Sequence, residues 1–148
     1  MFITAIGSVM GFVMTSERAA EMMAHGLVSF TDNKYLVLTL VVLVLLVMGV
    51  FLEAVPVMLI AVPLFGPLVV SYGVDPIHFG VVLTFAILLG IVHPPIGLGI
   101  FAVCAITRLP MERVVRATLL FYPLFVVCLA LLMFVPALST WLPKVLLK

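Results

Sequence analysis

The chain has 148 residues, 66% of them hydrophobic and 9% charged, with a net charge of +1. A typical soluble domain carries roughly 25% charged residues, so a water-soluble globular fold is excluded and a small polytopic membrane protein, or a piece of a larger one, is expected. The near-neutral balance leaves no basic surface that would point to nucleic acid. Cys104 and Cys128 both lie in apolar stretches, where cysteine behaves as a small hydrophobe.

In chain order, Met1–Met14 is apolar but short for a full span, and reads as the end of a helix whose beginning is missing. It lacks the basic region and small-residue cleavage site of a secretory signal. Gly7-Ser-Val-Met-Gly11 matches a small-xxx-small packing pattern. Ser16 with Glu17 behind it is a favourable helix start. Ala19, Met22, Met23, Gly26, Leu27 and Phe30 then recur at helical spacing opposite Glu17, Arg18, Glu21 and His25. Residues 16–31 therefore read either as an amphipathic interfacial helix or as an ordinary helix packed on the protein.

Asp32-Asn33-Lys34 is a polar break. Residues 35–70 are uncharged except at Glu53, with Gly49 and Pro56 beside it and Pro63 and Pro67 further on. This stretch is either two successive spans or a re-entrant helical hairpin that turns near Gly49–Pro56, and a carboxylate between two apolar arms favours the hairpin. Asp75-Pro76 supplies an N-cap and a proline at the first helical position. The helix over 76–106 is expected to break at His93–Gly97, where Pro94-Pro95 removes backbone donors between glycines. Thr107–Arg116 is a short polar segment in which Pro110 opens a brief helix. Residues 117–141 form the final span, with Tyr122 and Trp141 as interfacial aromatics. The cluster Arg108, Arg113, Arg116 places that loop on the cytoplasmic side. The fold class is an all-α membrane protein, a polytopic bundle with a hairpin and a Pro-Pro broken transmembrane helix.

The chemistry concentrates at two places. Unwound backbone at membrane depth is tolerated where it is buried in protein or lines a cavity, and transporters use it to bind ions and substrates. The break at 93–97 frees carbonyls upstream, suited to a small cation, and amides downstream, suited to an anion. Ser71, Thr84 and Thr107 supply few hydroxyls, so backbone oxygens would carry most of the coordination. The bland alternative is a kink that only improves packing. Glu53 is a gate, ion or substrate group at a hairpin tip, or a glutamate that faces water near an interface. His93 either bonds freed carbonyls, pairs with Glu53 when charged, or is satisfied by local backbone. His78, one turn after Asp75, reads as structural. The chain shows no zinc-protease, phosphate-loop or serine-nucleophile pattern.

The succession Met48-Gly-Val-Phe-Leu-Glu53, Pro63, Pro67, Gly73-Val-Asp-Pro-Ile-His-Phe-Gly80 and Pro94-Pro-Ile-Gly97, closing with Val135-Pro-Ala-Leu-Ser139 and Trp141-Leu-Pro143, resembles the C-terminal part of the large membrane subunit of TRAP transporters, the DctM family. The resemblance implies an elevator-type secondary transporter of a bacterial or archaeal cytoplasmic membrane. It implies two inverted repeats, each with a hairpin and a broken helix, of which this chain holds the second. A periplasmic substrate-binding protein would deliver organic acids such as C4-dicarboxylates or sialic acid. A small membrane subunit would buttress the large one, and Na⁺ would be the coupling ion, with no other cofactor. Candidate ion- and substrate-binding residues are Gly49 and Glu53 at the hairpin tip and His93, Pro94, Pro95 and Gly97 at the helix break. The family usually has Thr where His93 stands, which opens the expectation of a pH-dependent site. The first repeat is absent, so the chain is expected to be a fragment, a split-gene product or a truncated reading frame. Rival readings are a membrane assembly protein without transport activity and an intramembrane hydrolase built on Glu53 and a histidine.

Overall fold

The computed structural model describes residues 33–94 and 97–146, together with Val9, Phe12, Val13, Ser16 and Glu17. The expected helix end at 1–14, the amphipathic helix at 16–31 and Pro95 fall largely or wholly outside the described residues. Ser16 itself donates its Oγ to the Phe12 carbonyl at 2.8 Å. It thus closes the helical turn before it, and the helix start expected after it lies outside the described residues.

The regular elements among the described residues are six helices: α1 Lys34–Phe51, α2 Ala54–Ser71, α3 Pro76–Ile91, α4 Leu98–Thr107, α5 Met111–Phe134 and α6 Ala137–Leu146. Asn33 caps α1, its side chain accepting from the Tyr35 N–H. Leu52 and Glu53 adopt extended backbone, and this two-residue link joins α1 to α2 as a helical hairpin. Pro56 falls in the first turn of α2, where its missing N–H costs nothing. The helix also runs through Pro63 and Pro67. It ends in a Schellman motif: Gly73, at φ 75°, donates to the Val70 carbonyl, and Val74 donates to that of Val69. Asp75 then caps α3, accepting from the Ile77 and His78 N–H groups, with Pro76 at the first position.

The core lies between α1, α2 and α3. Val37, Leu38, Val41, Val42, Leu45 and Gly49 recur at three- and four-residue spacing along one buried face of α1. They meet Val57, Ala61 and Phe65 of α2 and Val82, Leu83, Ala86 and Ile87 of α3. The axes of α1 and α3 run parallel. At their N-terminal ends Tyr35 and His78 line one small cavity of about 140 Å³, and at their C-terminal ends Gly49 touches Gly90.

Helix α5 runs alongside both pieces of the interrupted chain, antiparallel to them. Near its start Val114 faces Ile100 of α4, further on Phe125 faces Phe85 of α3, and at its end Met133 reaches His78. It begins at Met111, so the polar segment and the last apolar run are one continuous helix. The chain breaks again at Val135–Pro136 and restarts as α6, the Ser139 and Thr140 N–H groups both donating to the Pro136 carbonyl. Helices α1, α2 and α5 are long and apolar enough to cross a membrane.

Candidate functional site: the hairpin tip and the helix break

The break between α3 and α4 follows from what proline lacks. In an unbroken helix the Gly90 and Ile91 carbonyls would accept from residues 94 and 95, both prolines without an N–H. Gly90 accepts instead from the His93 N–H at 3.0 Å, a tighter turn. The Gly97 N–H then donates back to the His93 carbonyl at 2.9 Å, tying the start of α4 to the end of α3. A Cβ on Gly97 would lie 2.9 Å from both His93 N and His93 O and would run into the Ile91 carbonyl oxygen. Only glycine fits there, so the tight link back to Ile91 depends on this residue as much as on the prolines.

The hairpin tip comes to the same level as the break through a second glycine contact. A Cβ on Gly49 would lie 2.8 Å from the Ile87 carbonyl oxygen, and one on Gly90 would lie 2.8 Å from both Gly49 Cα and the Leu46 carbonyl oxygen. Backbone therefore packs on backbone where α1 and α3 end. Because the two helices are parallel, their C-terminal carbonyl ends, with their partial negative charge, lie at one level. Helices α2 and α4 start from this same level, and neither N-cap residue, Glu53 or Gly97, makes a side-chain capping hydrogen bond. The first-turn amides of α2 and α4 thus lack a side-chain cap. One zone of the molecule gathers two carbonyl ends suited to a cation and two amide ends suited to a carboxylate.

Glu53 is exposed at the tip, and no ion pair joins it to His93 among the described residues. The His93 ring instead turns to α5, where Nδ1 hydrogen-bonds the Tyr122 hydroxyl. The two rings meet edge to face, 5.2 Å apart at 71°. Tyr122 sits half-buried midway along α5, beside the break. Twenty-nine residues separate the pair, and its only sequence signal is a polar aromatic inside an apolar span. Pro94 is half-buried at the break. Ser71, Thr84 and Thr107 each donate to a carbonyl of their own helix, at 2.6, 2.8 and 2.7 Å. That leaves backbone oxygens as the main unassigned acceptors. Among the described residues no cluster of His, Cys, Asp and Glu could hold a metal ion.

His78 lies away from this zone, at the N-terminal end of α3. It is 2% exposed, with Nδ1 3.2 Å from Ser139 Oγ and Nε2 without a hydrogen-bond partner. Its part is to tie α6 to α3.

Comparison with known proteins gives the family. Residues 1–138 match the family described as the tripartite ATP-independent periplasmic transporter, DctM component. An uncharacterized protein, YgiK, of Salmonella typhimurium is 35% identical over 90% of the chain and 31% of its own length. The C4-dicarboxylate TRAP transporter large permease protein DctM of Vibrio cholerae is 33% identical over 99% of the chain and 32% of its own length. The sialic acid TRAP transporter large permease protein SiaM of the same species is 33% identical over 95% of the chain and 33% of its own length. The chain spans about a third of the length of these relatives. With an all-helical, multi-pass architecture and a family match over nearly its whole length, the chain belongs to the DctM family of TRAP transporter large permeases.

Proposed function

We propose that this chain forms one hairpin and broken-helix repeat of a Na⁺-coupled permease for small organic anions of the C4-dicarboxylate kind. The observation that carries the reading is the Gly49–Gly90 contact, which sets the hairpin tip beside the helix break. Carbonyls at the ends of α1 and α3 would coordinate the cation, with Glu53 near enough in sequence to balance its charge. The amide ends of α2 and α4 would face the substrate carboxylate. The hairpin is re-entrant in this reading. Its arms stop level with the break, whereas α4 adds 10 residues, about 15 Å, beyond it.

Transport belongs to the longer protein, whose remaining two-thirds would supply the first hairpin and break. A small membrane subunit and a periplasmic binding protein would complete the transporter. Alternating access needs one bundle to move against another around a shared site, so this third would hold a site but would not transport alone.

The test is uptake of a radiolabelled C4-dicarboxylate into liposomes holding the assembled transporter and its binding protein. An inward Na⁺ gradient should drive accumulation, and replacement of Na⁺ by choline should abolish it. Equal uptake in choline would refute the cation role. Accumulation of a sialic acid but not of the dicarboxylate would keep the mechanism and change the substrate.

A further inference from the structure

We propose that the groove between α4 and the first turns of α5 binds an anionic phospholipid, an acyl chain lying along the groove and the phosphate resting on Arg113. The groove has a volume of about 490 Å³ and is lined almost entirely by apolar side chains. Ile100 and Val114 make its buried floor, 2% and 8% exposed. Val103 of α4 and Phe121 of α5 stand exposed on its walls. The hydroxyl of Thr118, which also lines it, is satisfied within its own helix, donating to the Val114 carbonyl at 3.0 Å. Nothing along the trough asks for a polar ligand.

Its end does. Arg113, the third residue of α5, lines the groove and is exposed. Its neighbour Arg116 is already engaged, donating to Glu112 at 2.6 Å, whereas the Arg113 guanidinium pairs with no carboxylate among the described residues. Residues 108–116 hold three arginines against one glutamate, which favours the cytoplasmic side of the membrane. The leaflet there carries the anionic lipids, and basic pockets between helices on that side take anionic head groups. A protein segment filling the same trough would have to bring its own carboxylate to Arg113. A phospholipid brings the apolar chain and the negative charge together, at the spacing of a membrane interface. The proposal is independent of the cation site at the helix break.

The experiment is photolabelling of the assembled permease in liposomes with phosphatidylglycerol carrying a diazirine on its acyl chain. Phosphatidylcholine with the same chain is the control, and adducts are mapped by mass spectrometry. Phosphatidylglycerol should label residues 99–121 about fivefold more than phosphatidylcholine. Arg113→Gln should bring it down to the phosphatidylcholine level. Ala117→Phe, at an exposed position on the groove wall, should reduce both lipids there while leaving labelling of α1 and α2 unchanged. The wild-type comparison requires no variant to fold. Equal labelling by the two lipids, or labelling indifferent to Arg113→Gln, would overturn the proposal. So would an unlabelled groove, which would mean that another protein segment fills it.

Discussion

Single residues decide whether this molecule's few polar groups are satisfied. His78 is buried with one nitrogen on Ser139 and the other unpartnered. Ser139→Ala would remove the side chain that hydrogen-bonds Nδ1, and should destabilise the protein by about 1–3 kcal/mol. Replacing both partners, as His78→Leu with Ser139→Ala, should cost less than the single change, because no polar group is then stranded. Thermal unfolding in detergent checks both. At the break, Tyr122→Phe keeps the ring on His93 and removes the hydroxyl. About 1 kcal/mol is lost with such a bond, so the half-saturating Na⁺ concentration for uptake should rise by up to about fivefold. An unchanged midpoint would show that the pair only packs. The sequence made some of this legible and not the rest. His93 and Gly97 stand out because proline and glycine act through their own backbone. Tyr122 does not, because its role depends on how α5 is rotated against the break, which tertiary packing alone sets.

Elements were legible wherever the signal was local. Asp75-Pro76 began α3 as its cap chemistry dictates, and the chain turned between Gly49 and Pro56. Less visible was that α2 continues through Pro63 and Pro67, or that α5 begins at Met111 and stops at Phe134. Helix α5 starts directly after Pro110 and stops just before the Val135-Pro136 pair, where proline disfavours helical backbone in the residue before it. The contact between α1 and α3 gives a test with an internal control. Gly49→Ala and Gly90→Ala each drive a Cβ to within 2.8 Å of opposing backbone, which cannot yield without separating the helices. Both variants should lower the unfolding temperature and abolish uptake. Gly66→Ala and Gly80→Ala meet nothing within 4 Å, and should hold or raise stability by up to about 1 kcal/mol through helix propensity. If all four behaved alike, the close approach of α1 and α3 would carry no special weight.

At the scale of the whole molecule, the surface is turned inside out relative to a soluble protein. Helix α6 buries Ser139 and Thr140 and exposes Leu138, Trp141, Leu142 and Val145, while α5 exposes Leu120, Phe121 and Leu124. Lipid and the rest of the permease are the partners that such faces fit. The family is one of transporter permeases, not enzymes, so the gathering of helix ends at one level is read as a binding zone and not as a reaction centre. The chain represents about a third of its relatives' length, and the claim that most needs proof is that this third carries a cation site. The direct measurement is the unfolding temperature of the purified full-length permease, titrated with Na⁺ and with choline at equal ionic strength. A ligand that binds only the folded state raises stability as its concentration passes the dissociation constant. The account predicts a saturable rise with Na⁺ alone, shifted to higher concentration by Glu53→Gln or Tyr122→Phe. The same rise in choline, or a Na⁺ response untouched by both substitutions, would contradict it.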